Sequence, residues 1–171
     1  MRISLVVLAL TVLAGCATVE PTGGVPMPLI NSAGQTIGSV RAWEAAGSVS
    51  FRITATGLPH GLHGIHVHAV GRCDPPGFES AGPHWNPWGM KHGMNNLAGP
   101  HAGDLPNVAV AANGVLDAVV TLSATRMAQL LQGNGTAIVI HAQFDNAETD
   151  PDGNSGARIA CAVIQPYAEQ R

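Results

Sequence analysis

Eight histidines stand in a chain of 171 residues whose lysines and arginines together also number only eight. Imidazole binds transition metals and exchanges protons near neutral pH, so the spacing of these residues carries chemical information. In G-I-H-V-H-A-V (64–70), His66 and His68 are one residue apart inside an apolar run. Residues i and i+2 of a strand share a face, so both rings are expected to project together while Ile65 and Val67 anchor the strand on its apolar side. His84, His92 and His101 follow in a stretch rich in glycine and proline, Asp104 comes three residues after the last, and His141 ends the apolar run I-V-I at 138–140. A lone histidine is more often packed or solvated than ligating. Six of them with a carboxylate, drawn from strands and one loop, favour a metal site. An all-imidazole set suits Cu(II) in tetragonal geometry, whereas three histidines and an aspartate suit tetrahedral zinc. Residue types alone leave the ions open.

The elements that must position these groups read as strands. S-V-S-F-R-I-T-A-T (48–56) alternates apolar and polar residues, the mark of a half-buried strand. Residues 108–122 read as two short strands around Asn113-Gly114, a hairpin signal. Residues 135–142 and 157–164 are apolar, β-branched runs, and turn signals at 31–34 and 44–47 separate the early strands. One helix, of a turn or two, is expected within 123–131, with Ser123 as its cap. Between 71 and 107 the strand pattern vanishes among repeated prolines; a loop of that length in a small domain is usually functional. A shorter irregular stretch, 145–156, precedes the last strand. These signals predict an all-β protein, a small barrel or sandwich carrying two working loops.

Composition agrees: charged residues are 11% and aromatics 4%, against 21 glycines and 12 prolines, which suits a single turn-rich domain. The formal net charge is −3 and Lys91 is the one lysine, so the clustered cations that nucleic-acid binding requires are missing. The N-terminus reads as a targeting segment: Met1-Arg2 is followed by a short apolar run, Ile3 to Leu13, which is too short to span a membrane. It ends in Leu13-Ala14-Gly15-Cys16, which resembles the lipobox of bacterial lipoproteins and implies cleavage before Cys16 and lipidation of its thiol. Residues 1–15 are thus expected to be a signal peptide, 16–26 a lipidated flexible tether, and 27–171 the functional domain. Two cysteines remain, Cys73 and Cys161. In an exported protein they most simply form one disulfide, two free thiols being the alternative.

The motifs G-L-H-G-I-H-V-H (61–68), S-A-G-P-H-W-N-P (80–87), K-H-G (91–93), G-P-H-A-G-D-L-P-N (99–107), V-I-H-A (139–142) and G-N-S-G-A-R-I-A-C-A-V-I (153–164) resemble, in order and spacing, the copper/zinc superoxide dismutase family, in its bacterial lipoprotein form. The resemblance spans about residues 25 to 165. It implies a Greek-key β-barrel, an immunoglobulin-like sandwich, with a long metal-binding loop and a short second active-site loop. It implies a copper site at His66, His68, His84 and His141 and a zinc site at His84, His92, His101 and Asp104, with His84 bridging the two metals. It further implies a Cys73–Cys161 disulfide, Arg158 as the arginine that guides the anionic substrate, and Asp145 as the carboxylate linking His66 to His92. The activity implied is disproportionation of superoxide to dioxygen and hydrogen peroxide, with redox-active copper, structural zinc and a proton relayed by His84, in antioxidant defence of the cell envelope. The place implied is the periplasm, anchored through Cys16, at the outer membrane. Both monomers and homodimers fit the resemblance.

His63 matches a family histidine that bonds backbone and binds no metal; His60 matches no motif position and reads as a turn residue. Ala69 stands where the family commonly has an acid. The second loop carries Glu148, Asp150 and Asp152 and no lysine, so strong long-range steering of an anion is not expected. Trp85 and Trp88, beside the bridging histidine, read as loop packing or as an exposed apolar contact patch.

Overall fold

Alternation in S-V-S-F-R-I-T-A turns Val49, Phe51, Ile53 and Ala55 of β3 (Ser48–Ala55) into the core of the computed structural model, which describes residues 24–165. The expected signal peptide, Cys16 and most of the tether lie outside those residues. β3 pairs along its length with β2 (Thr36–Ala45) on one side and with β7 (Leu116–Leu122) on the other. β1 (Met27–Asn31) joins β2 to β9 (Arg158–Ile164), and β8 (Thr136–His141) joins β9 to β5 (Ile65–His68). The antiparallel sheet therefore runs β5-β8-β9-β1-β2-β3-β7.

A second pair, β4 (Gly61–His63) with β6 (Val108–Val110), links the two edges. β4 runs into β5 through Gly64, and β6 turns into β7 at residues 111–115, where the Ala111 N–H donates to the Val115 carbonyl at 2.9 Å. The sheet is thus curled into a barrel around one core, which includes Leu29, Val40, Phe51, Ile53, Ile65, Val67, Leu116, Ile138 and Ile140. Each such aliphatic or aromatic side chain stabilises the fold by about 1.5–3 kcal/mol on burial.

Two local expectations are corrected. The turn at Asn113-Gly114 is present, with Gly114 at φ 77°, but its flanking strands do not form a hairpin ladder; β6 pairs with β4 and β7 with β3. The helix has the short length expected, one turn, α1 (Met127–Leu130), but Ser123 does not cap it. Ala124 is left-handed at φ 50° and interrupts the run. The free N–H groups at the helix start are satisfied instead by Glu44 Oε2, 2.8 Å from the Met127 nitrogen, and Gln129 Oε1, 2.8 Å from that of Arg126.

β5 is an edge strand, and that edge places the long loop. The Val67 N–H donates to the Gly103 carbonyl (2.8 Å), the Val67 carbonyl accepts from the Trp85 N–H (2.7 Å), and the Gly103 N–H donates to the Trp85 carbonyl (2.8 Å). The middle and the far end of the loop are thereby laid along β5, with His68 opposite His84 and His66 opposite Asp104. The approach needs a glycine: a Cβ at position 103 would stand 2.3 Å from the Val67 oxygen. Cys73 and Cys161 form a disulfide that ties the loop to β9.

Candidate metal centre

β5 is buried on both faces. Ile65 and Val67 belong to the barrel core, whereas His66 and His68, fully buried, point to the loop side. There the structure gathers His66, His68, His84 and His141 into one group and His66, His84, His92 and Asp104 into an adjoining one, with the potential ligand atoms of each group within 4.8 Å of one another.

In the first group the orientation of every ring is determined. His66 donates its Nε2–H to Asp145 Oδ2 at 2.8 Å. His68 donates its Nδ1–H to the Gly82 carbonyl at 2.8 Å, and His141 donates its Nδ1–H to that of Gly156 at 3.1 Å. A neutral imidazole with one nitrogen donating keeps a lone pair on the other. The nitrogens so freed, His66 Nδ1, His68 Nε2 and His141 Nε2, are buried without a hydrogen-bond partner, and so is His84 Nε2. Four convergent orphaned lone pairs would each cost free energy in a closed interior. A cation that accepts all four removes that cost, so the residues fit a metal with an all-imidazole preference, such as copper.

The second group is built around one carboxylate. Asp104 Oδ2 accepts the backbone N–H groups of Gly93 (2.9 Å) and His101 (3.0 Å). Its other oxygen, Oδ1, is then free to face the Nδ1 atoms of His84 (2.9 Å), His92 (3.1 Å) and His101 (3.3 Å). His84 and His101 approach each other, Nδ1 to Nδ1, at 3.3 Å. Four ligands about 2.0 Å from a tetrahedral ion lie about 3.3 Å apart, so these atoms are spaced as the corners of such a site and fit zinc. His66 also lies within reach of this group, but the Asp145 bond leaves it one lone pair, on the buried and unpartnered Nδ1. His84 turns Nδ1 to one group and Nε2 to the other.

Electrostatics separate the two halves. Burial, helped by His84 and His141, pushes His66 down to about 3 against the pull of Asp145. Burial lowers His68 to about 2 and His141 to about 4, with His84 and Arg158 contributing to both. His92 moves oppositely: burial is outweighed by Asp104 and Asp145, and its pKa rises to about 9. Burial opposes ionisation of Asp104 and Asp145, yet the histidines beside them hold both carboxyls well below the usual range.

Asp145 joins the halves, as Oδ1 accepts from His92 Nε2 at 3.0 Å while Oδ2 serves His66. It is itself clamped by Asn107, whose side chain exchanges two hydrogen bonds with the Asp145 backbone (2.7 and 2.8 Å). Arg158, half-buried, donates to the carbonyls of Phe78 (2.7 Å) and Gly82 (2.8 Å). The Gly82 oxygen thus holds both the guanidinium and His68. His63 lies in the barrel with its ring nitrogens 2.7 Å from the His141 carbonyl and 2.8 Å from that of Pro59, and His60 is exposed. Trp85 packs partly on the core, whereas Trp88 is exposed. Ala69, with Pro83, Trp85 and Pro151, lines a groove of about 410 Å³ that reaches His84 and His101.

Asn107, Gly82, Gly156 and Phe78 had no role in the sequence reading. The last three act through carbonyls, which no residue type announces. Asn107 ends the motif G-P-H-A-G-D-L-P-N, where a polar residue entering a strand was the available signal.

Residues 36–164 match the family model described as copper/zinc superoxide dismutase. A superoxide dismutase [Cu-Zn] of Aquifex aeolicus is 43% identical over 143 residues, covering 80% of this chain and 84% of that protein. A superoxide dismutase-like protein from Bacillus subtilis superposes with a TM-score of 0.80 at 36% identity, over 84% of this chain and all of that one. The Cu/Zn superoxide dismutase from Brucella abortus does so at 0.71 and 27% identity, over 83% and 99%.

Proposed function

The chain belongs to the copper/zinc superoxide dismutase family, and we propose that it disproportionates superoxide with copper held by His66, His68, His84 and His141 beside zinc held by His84, His92, His101 and Asp104. The observation that carries this is the set of four buried, unpartnered ring nitrogens, one of them on a histidine whose other nitrogen faces Asp104. When bound, copper supplies reversible one-electron chemistry and zinc fixes and tunes His84. One superoxide gives up an electron and leaves as dioxygen. The second takes that electron and two protons and leaves as hydrogen peroxide. His84 Nε2 is placed to take up one proton and pass it to the second superoxide, while water provides the other. His68 and His141, held neutral by burial, stay ligands and do not compete for protons. Arg158 offers a fixed positive charge beside them, and the guanidinium stays protonated although burial lowers its pKa.

We further read residues 1–15 as a cleaved leader and Cys16 as a lipid anchor, placing residues 27–171 in the periplasm in envelope defence. Mass spectrometry of the mature N-terminus tests this: an uncleaved chain or an unmodified cysteine contradicts the anchor.

Reconstituting the mature chain with copper and zinc and assaying superoxide removal tests the activity. Fast removal that needs copper supports it. A fully metallated but inactive protein would favour a metal-binding module on the same barrel, since fold alone does not fix function.

A further inference from the structure

Metal-binding imidazoles characteristically donate their second ring N–H to a carboxylate or carbonyl, which fixes tautomer and orientation. Four of the six histidines here follow that rule, and a fifth, His84, lies between the two groups. His66 and His92 use Asp145, His68 uses Gly82, His141 uses Gly156, and His84 faces both groups. His101 is the sixth. Its Nδ1 faces Asp104 and His84, and its Nε2 has Asp150 Oδ1 at 3.8 Å.

We propose that Asp150 is the outer carboxylate of His101, a positioning residue for the zinc site that matches what Asp145 does for His66 and His92. This rests on reading His84, His92, His101 and Asp104 as the zinc ligands. Asp150 is held in place for the task. Its Oδ1 accepts the backbone N–H of His92 at 2.8 Å, and its Oδ2 accepts from Lys91 Nζ at 2.9 Å. The carboxylate is thereby fixed to one ligand residue, His92, and to its neighbour, while facing the ring of another. The 3.8 Å separation from His101 is within ion-pair reach and longer than a hydrogen bond. Zinc on Nδ1 places the ring proton on Nε2 and strengthens that N–H as a donor, so the attraction to the carboxylate grows when the site is filled. Asp145 and Asp150 lie on the same short loop, and together they make that loop a two-point clamp on the zinc-binding segment. His101 also borders the open groove beside Pro151, so an anchor for its ring matters more than for the enclosed His66 and His68.

The test uses the mature chain loaded with zinc alone, as wild type and as Asp150→Ala, Asp150→Asn and Lys91→Met. Zinc affinity is read by competition with a chromophoric chelator, and the His101 Nε2–H by its solvent-exchange rate in nitrogen-15 NMR. Expected is an affinity loss of about 10- to 100-fold in Asp150→Ala with faster exchange at His101, an intermediate loss in Asp150→Asn, and a smaller loss than either in Lys91→Met, where the His92 N–H still holds Asp150 Oδ1. Wild-type affinity and exchange in both Asp150 variants would overturn the proposal. So would an equal loss in Lys91→Met, which would make Asp150 a loop strap only. If wild type takes up no zinc that depends on His101 and Asp104, the zinc reading itself fails and this proposal with it.

Discussion

At the scale of the residue, the site is governed by which nitrogen of each ring is left free. Asp145 decides this for His66 and orients His92, so Asp145→Ala should weaken binding of both metals by about 10- to 100-fold. Metal titration of the variant, with wild-type affinity for both ions as the contrary result, checks this. Arg158 binds no metal, so Arg158→Ala should keep both ions and lower the rate constant by roughly tenfold, the low end of what local charge contributes to anion capture. Pulse radiolysis measures it, and an unchanged constant would remove Arg158 from the mechanism. A pH prediction separates the two ions. His66, His68 and His141 are neutral above about pH 4, so copper displaces no proton from them. His92, raised to about 9, is protonated at neutral pH in the metal-free chain and must release that proton to bind zinc. Zinc affinity of the copper-free chain should therefore rise with pH, by up to about tenfold per unit, and level off above about 9, whereas His66, His68 and His141 add no such slope to copper binding by the zinc-free chain. Equal slopes in competition titrations would contradict this. The residues that gather at the centre were legible in the sequence: His66 and His68 by strand period, and the others by their match to the family motifs. Asp150 was visible only as charge, because its relation to His101 arises from two loops that meet in space.

At the scale of the element, the edge of β5 carries the design. It could be read as a strand, but nothing in the sequence said that the middle and the far end of the long loop would both return to bond Val67. Gly103 is where this can be broken. Gly103→Ala puts a carbon 2.3 Å from the Val67 oxygen and should displace Asp104 and Trp85, with zinc affinity falling further than overall stability. A variant with unaltered zinc binding would show that the crossing can shift without moving Asp104. The disulfide supports the same loop from its other end. Cys73 and Cys161 are 88 positions apart, so the double variant Cys73→Ser/Cys161→Ser should be less stable than the wild type by about 4–5 kcal/mol on the chain-entropy account, measured by denaturant unfolding. Where the sequence reading failed, it failed on non-local effects. Asn113-Gly114 fixes a turn, but pairing is settled by β3 and β4, which lie far away in sequence. Residues 123–131 have helical composition, but Ala124 turns left-handed, and the cap comes from Glu44 on β2.

At the scale of the whole molecule, the question is how a protein of formal net charge −3 receives an anion. Removal of a leader containing Arg2 makes the charge more negative still. The carboxylates that act most on Arg158 are Glu79 and Asp152, so the local positive field is partly cancelled where the substrate would arrive. Screening acts on attraction and repulsion alike. As ionic strength rises from about 0.01 to 0.15 M, the Debye length shrinks from about 30 to 8 Å, and both the pull of Arg158 and the push of its acidic neighbours fade. The second-order rate constant should therefore fall only moderately, by less than about threefold over that range. Neutralising the rim sharpens the test. Glu79→Gln with Asp152→Asn leaves every metal ligand and Arg158 in place, and should raise the low-salt rate constant while steepening its decline with salt. A double variant no faster than wild type, or a wild type whose rate already collapses with salt, would show that the field at the copper site is set by charges other than these.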